Sequence, residues 1–259
     1  MRTVILLKHF YFFQRKLIDE KAGNNSHLQL TKMKQINKTS DLRLEGYCVY
    51  CGGIPETKDH VPSKILMDKP FPKNLPVVPA CNDCNQDFSK GEEYFACLIE
   101  CILRGTAEPD KLKRKKIQDI LERKPKLRAR IEKAKVEVNG QTFFKTEADR
   151  VRNVILKLAR GHATFENSEF QLEEPVAISI RPITEMDKDE QVEYFSQDDG
   201  LLPEIGSRAF NRMFLDEDFI NNWLIVQEEK YMYSINHGRF GLSIKFLIWN
   251  YLACEVIWN

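Results

Sequence analysis

The chain predicts an α+β fold, and three observations carry that expectation. Apolar residues recur at helical spacing in three places: Phe88, Phe95, Leu98, Ile99 and Ile102, then within 111–135, then Val151, Val154, Ile155, Leu158 and Ala159. The last third instead reads as short strands, at Trp223–Val226, Lys230–Ile235, Leu242–Leu247 and Leu252–Ile257. Between an N-terminal extension and the first helix lie two C-x-x-C pairs, Cys48/Cys51 and Cys81/Cys84. The 259 residues, 42% hydrophobic and 30% charged, suit a soluble globular protein of one large or two modest domains.

The cysteines come first because their spacing is the most restrictive. Two thiolates two residues apart on a tight turn aim both sulfurs at one ion, and two such knuckles complete a tetrahedron. A four-sulfur site suits zinc ahead of an iron–sulfur cluster. Four sulfurs also fill the coordination shell, so the expected zinc is structural. The competing arrangement, two disulfides in a secreted protein, fits poorly with seven cysteines and no visible secretion signal.

Between the knuckles sits a candidate reaction centre. Asp59-His60-Val61-Pro62 places a carboxylate beside an imidazole, with Pro62 restraining the end of an expected strand. Histidine is the side chain best suited to take a proton from water near neutral pH. Aspartate is a hard ligand for magnesium or manganese. Asn85, one residue past Cys84, opens the expected helix that runs to about Leu103, and its amide oxygen offers a second ligand to the same ion.

With Asn74-Leu75 between the knuckles, the stretch resembles the zinc-bracketed HNH endonucleases. That family shows C-x-x-C, D-H-[IV]-x-P, N-L and C-x-x-C-N in this order, on a ββα-metal fold. The resemblance implies that His60 is the general base that activates water. It further implies that Asp59 and Asn85 bind one divalent cation, magnesium or manganese, and that Asn74 orients His60. The reaction implied is hydrolysis of DNA phosphodiester bonds leaving a 5′ phosphate. Three features depart from the family pattern: Lys64-Ile65-Leu66-Met67-Asp68 and two prolines replace a Gly-Gly, the last site residue is asparagine rather than histidine, and Gln86-Asp87-Phe88 replace a basic residue. Asn82, Asp83 and Asp87 stand close enough to compete with Asn85 as ligands.

Taken in order, residues 1–43 form an N-terminal extension. Val4–Phe13 is apolar but broken by Lys8 and His9, and is far short of a membrane span. Gly23-Asn24-Asn25-Ser26 reads as a joint and Met33 as an alternative start. No secretory cleavage pattern follows, so a cytoplasmic protein without a membrane partner is expected. Residues 44–105 hold the HNH-like core with its four-cysteine zinc site. Cys97 and Cys101, one turn apart on its helix, read as buried thiols.

Residues 106–165 are a basic helical region. The net charge of the chain is +1, but 111–135 carries twelve Lys/Arg against three Asp/Glu. Pro125 divides this segment into two helices. Lys113, Lys116, Arg123, Lys124, Arg128 and Arg130 face away from its apolar side and are the candidate DNA-backbone contacts; a solvated charged face is the alternative. A hairpin turn is expected at Asn139-Gly140. A helix follows from Glu147 to Thr164 with Gly161 at its end, and its Arg150, Arg152, Lys157 and Arg160 extend the basic side.

Residues 166–259 combine an acidic connection with the β-rich region. From Glu166 to Glu204 there are twelve acidic residues against Arg181 and Lys188, so this segment should stay clear of phosphate. Asn236-His237-Gly238 is the expected hairpin turn. Tyr231, Tyr233, Phe246, Trp249 and Trp258 read chiefly as packing residues. No Walker, dinucleotide or serine-hydrolase motif and no repeat is present. The leading expectation is a DNA endonuclease. A non-cleaving zinc module that binds nucleic acid and an RNA-directed nuclease are the alternatives. A homo-oligomer, a regulatory protein partner and a role in defence against foreign DNA are each compatible with the chain.

Overall fold

A two-stranded hairpin, a long helix and a five-stranded sheet organise the chain. The structure is a computed structural model that describes residues 42–72, 75–196, 205–215, 223–238 and 241–259. The features expected before residue 42, and Asn74, lie outside the described residues.

The hairpin pairs β1 (Thr57–His60) with β2 (Val77–Ala80) antiparallel, with Asp59 opposite Val78 and His60 opposite Val77. Helix α1 (Asn82–Arg104) follows at once. Gly105 ends it in the left-handed region, its N–H closing onto the Cys101 and Ile102 carbonyls. Tyr94, Phe95, Leu98 and Ile99 are buried on this helix. Cys97 and Cys101 are buried too, and burial pushes both thiols well up, Cys101 to about 12.

Pro125 does divide the basic segment. Helix α2 (Lys115–Arg123) and helix α3 (Pro125–Lys133) meet at Lys124, with proline in the first turn of α3, where a missing N–H costs nothing. The hairpin of β3 (Lys135–Val138) and β4 (Gln141–Phe144) turns through Asn139 and Gly140, at φ 51° and 75°. Two successive left-handed residues match the twist of a tight hairpin.

Helix α4 (Ala148–Asn167) runs past Gly161 and closes at Ser168 instead, at φ 61°. Gly161 is not a cap. A Cβ there would lie 2.6 Å from a Val61 methyl, so glycine lets α4 approach the Asp59-His60-Val61-Pro62 segment. This glycine answers to tertiary packing, which local helix-stop signals do not register.

Strand β5 (Ala177–Pro182), helix α5 (Lys188–Phe195) and helix α6 (Arg208–Leu215) precede the sheet strands β6 (Trp223–Gln227), β7 (Tyr231–Gly238), β8 (Gly241–Ile248) and β9 (Leu252–Trp258). The sheet order is β5-β9-β8-β7-β6, antiparallel throughout. Part of the acidic connection is thus helical, because Asp187 and Glu190 form a reciprocal capping box that starts α5. The expected turn at Asn236-His237-Gly238 is strand: all three pair with β8, Gly238 opposite Gly241.

One large apolar cluster joins α1, α2, α4 and the sheet, including Tyr231, Tyr233, Phe246, Trp249 and Trp258. His162 on α4 is buried in it, stacked on Tyr233 at 3.8 Å with Nε2 2.8 Å from the Tyr231 hydroxyl. Burial pushes its imidazole down to about 3, so it stays neutral and serves packing. A second, smaller cluster gathers Cys48, Val49, Tyr50, Val61, Val78, Ala80 and Phe165 under the hairpin. Among the described residues no helix is long and apolar enough to cross a membrane.

Candidate functional site

The two knuckles come together. The sulfurs of Cys48, Cys51, Cys81 and Cys84 all lie within 4.8 Å of one another, a grouping that can hold a metal ion such as zinc. Zn–S bonds of about 2.3 Å in a tetrahedron place sulfurs about 3.8 Å apart. Cys51 Sγ and Cys81 Sγ are 3.7 Å apart, so the geometry suits that ion. Each knuckle has its own backbone cause. Gly52 takes φ 74° and donates to the Cys48 carbonyl at 2.8 Å, folding the first pair back on itself. Cys81 caps α1, its sulfur accepting from Cys84 N–H at 3.4 Å. The cluster therefore ties the start of α1 to the chain entering β1. Glu56 adds a second tie by accepting from Asn82 N–H at 3.1 Å.

His60 ends β1 and is half-buried. Burial, and then the Lys64 and Lys157 charges, hold its imidazole below the ordinary value, while Asp59 and the Pro76 carbonyl oppose them. The ring is therefore neutral near neutral pH and competent to accept a proton. Its Nδ1 is buried without a hydrogen-bond partner among the described residues.

Asp59, the residue before His60 on β1, is buried, 8% exposed. Its Oδ2 accepts from the Tyr50 hydroxyl at 2.7 Å and pairs with Lys157 Nζ at 2.6 Å. The same ammonium, 1% exposed, also binds Glu92 on α1 and lies 5.7 and 5.6 Å over the rings of Tyr50 and Phe88. Burial pushes the Glu92 carboxyl up and Lys157 pulls it back. Lys157 is thus no part of a basic surface; it is the buried counter-ion of two carboxylates. Sequence reasoning missed Glu92, Tyr50 and this role of Lys157. The available signal was a lysine on the border of the apolar stripe formed by Val154 and Leu158.

Asn85 donates from Nδ2 to Thr57 Oγ1 at 3.4 Å, which places its side chain against the start of β1. These bonds engage Asn85 Nδ2 and Asp59 Oδ2 and involve neither Asn85 Oδ1 nor Asp59 Oδ1. Two carboxylates against one ammonium also leave the Asp59–Glu92–Lys157 group one negative charge in excess. Both facts suit a divalent cation held by one oxygen of each residue, with the second Asp59 oxygen steadied by hydrogen bonds, as ligating carboxylates commonly are.

The segment after Pro62 is held by parts of the chain far away in sequence. Arg114, at the head of α2, donates to the Ile65 and Met67 carbonyls at 3.0 and 2.7 Å and pairs with Asp68 at 2.6 Å. Its guanidinium lies 4.3 Å over the Trp249 ring, and Trp249 Nε1 donates to the Leu66 carbonyl at 2.7 Å. The Gln227 amide bonds both the N–H and the carbonyl of Asp68, each at 2.8 Å. Against burial, Lys230 and Arg114 hold the Asp68 carboxyl below its ordinary value. The C-terminal sheet thereby buttresses the loop that follows His60.

The six basic candidates, Lys113, Lys116, Arg123, Lys124, Arg128 and Arg130, are all exposed, but not all are unpaired. Lys124 binds both oxygens of Glu93 at 2.7 and 2.8 Å, and Arg130 lies 3.7 Å from Glu147. On α4, Arg152 pairs with Glu174 of the acidic connection at 2.6 Å. Comparison of the chain with protein-family models, curated proteins and solved structures gives no match.

The buried group gives one expectation. Lys157→Met leaves Asp59 and Glu92 without their cation, at a cost of about 3 kcal/mol in unfolding free energy. Urea denaturation reads this directly. Adding Glu92→Gln should recover part of the loss, since one uncompensated carboxylate is then removed.

Proposed function

We propose that this protein is a metal-dependent endonuclease of the HNH type that hydrolyses DNA phosphodiester bonds. One observation carries the reading. A hairpin bearing Asp59 and His60 runs straight into a helix bearing Asn85, and a four-sulfur cluster ties the helix start to the strand entry. That is the order and the fastening expected of a ββα-metal core, with zinc as the structural ion.

In this reading Asp59 and Asn85 hold one magnesium or manganese ion through their remaining oxygens. The bound ion supplies charge neutralisation at the phosphate and at the leaving 3′ oxygen. His60 takes the proton from the attacking water, and its depressed basicity keeps it ready to do so. Tyr50 and Lys157 keep the Asp59 carboxylate from rotating. Glu92 balances Lys157, so that the buried ammonium does not repel a divalent ion alone. The assignment of Asn74 as the residue that orients His60 rests on the resemblance.

A second reading has its own observation. Lys157 already supplies a cation to Asp59 at 2.6 Å, which would suit a zinc-braced module that binds nucleic acid without cutting it. Supercoiled plasmid with added manganese separates the two. Nicked and linear product with 5′ phosphate ends supports the nuclease. Retention of uncut plasmid on the protein supports the module. Offering RNA beside DNA in the same assay assigns the polymer. A cytoplasmic setting and a role in defence against foreign DNA agree with this activity.

A further inference from the structure

Beside His60 the surface gathers positive charge that nothing in the described chain neutralises. Lys64 Nζ lies 5.9 Å from the centre of the Phe71 ring, and Lys116 Nζ lies 6.0 Å from it. Lys116 Nζ also reaches the Lys64 carbonyl at 3.5 Å. Lys69 is near enough to Lys116 to act on it electrostatically, together with Arg114. The nearby carboxylate, Asp68, is already engaged by Arg114 and Lys230 at 2.6 and 3.0 Å. Among the described residues no carboxylate pairs with Lys64, Lys69 or Lys116. Lys64 also acts on His60, where its charge adds to burial in lowering the basicity of the imidazole.

The placement is fixed. Lys64 stands on the loop clamped by Arg114, Gln227 and Trp249, and Lys116 stands on the first turn of α2. Ammoniums held together without a counter-ion repel one another, and an arriving anion relieves that repulsion. A rigid cationic spot next to a proton acceptor is a seat for a phosphate.

We propose that Lys64 and Lys116, around Phe71, form the subsite that seats the DNA phosphate flanking the one His60 addresses. This rests on the nuclease reading, and it assigns the direction in which the strand leaves the site: over the post-Pro62 loop toward α2.

Fluorescence anisotropy of a labelled DNA duplex, in buffer without added divalent metal, tests the subsite apart from cleavage. With Lys64→Gln and Lys116→Gln together, the salt dependence of log K should lose about 0.9 in slope, the share of one phosphate contact. Affinity near 0.1 M salt should fall about eightfold on the same basis. The double arginine variant should retain it, and Lys188→Gln, an exposed cation on α5, should change it less than about twofold. Three results overturn the proposal: no binding by the wild type, wild-type binding by the double glutamine variant, or an equal loss in Lys188→Gln, which would mean a diffuse field. Failure of the nuclease reading looks different: the duplex binds with the predicted dependence on Lys64 and Lys116, yet manganese yields no cleavage.

Discussion

Cys81→Ser is expected to empty the four-sulfur site and to release the hairpin while leaving the larger core folded. A structural zinc contributes on the order of 10 kcal/mol to the fold it organises. Here that fold is the smaller cluster around Val49, Tyr50, Val61 and Val78, which has few apolar partners of its own. The larger cluster, built on α1, α4 and the sheet, does not depend on the sulfurs. Zinc should therefore fall from one per chain to essentially none by elemental analysis. Amide hydrogen exchange should lose protection across β1 and β2 and keep it across β7, β8 and β9. Zinc retained at full stoichiometry, or unchanged protection in the hairpin, would count against the cluster as the fastening of this region.

Cleavage is the second large effect. A general base supplies about 10²- to 10⁴-fold in rate, so His60→Ala should lower plasmid nicking by that factor. Folding should respond little, because the ring is only half-buried and its Nδ1 has no hydrogen-bond partner among the described residues. DNA affinity should stay within about threefold, since the backbone-contacting cations are untouched. A rate equal to wild type removes His60 from the chemistry. A protein that no longer binds DNA would assign His60 to binding instead.

The parts legible in the sequence are those whose chemistry needs fixed spacing. Two sulfurs on a turn require C-x-x-C, and the structure brings both pairs to one point. Pro125 broke the basic segment where a missing N–H demanded it, and Asn139-Gly140 turned because both residues accept left-handed backbone. What stayed hidden depends on contacts between distant elements. Lys157 sits among Arg152 and Arg160 in sequence and reads as surface, but its ammonium is enclosed by Asp59, Glu92, Tyr50 and Phe88. Gly161 reads as a helix stop, yet answers to the Val61 methyls. The clamp of Arg114, Gln227 and Trp249 on residues 65–68 joins segments up to 183 residues apart, and no local pattern announces it. The loop after Pro62 is held by Arg114 of α2 and by Gln227 and Trp249 of the C-terminal half.

The account rests on a divalent ion shared by Asp59 and Asn85 beside a neutral His60. Crystals soaked in manganese, with anomalous scattering recorded at the zinc and manganese edges, test this most directly. The account predicts a zinc peak among Cys48, Cys51, Cys81 and Cys84 and a manganese peak in contact with both Asp59 and Asn85. A zinc peak alone, with Asp59 still bound only to Tyr50 and Lys157, would contradict it.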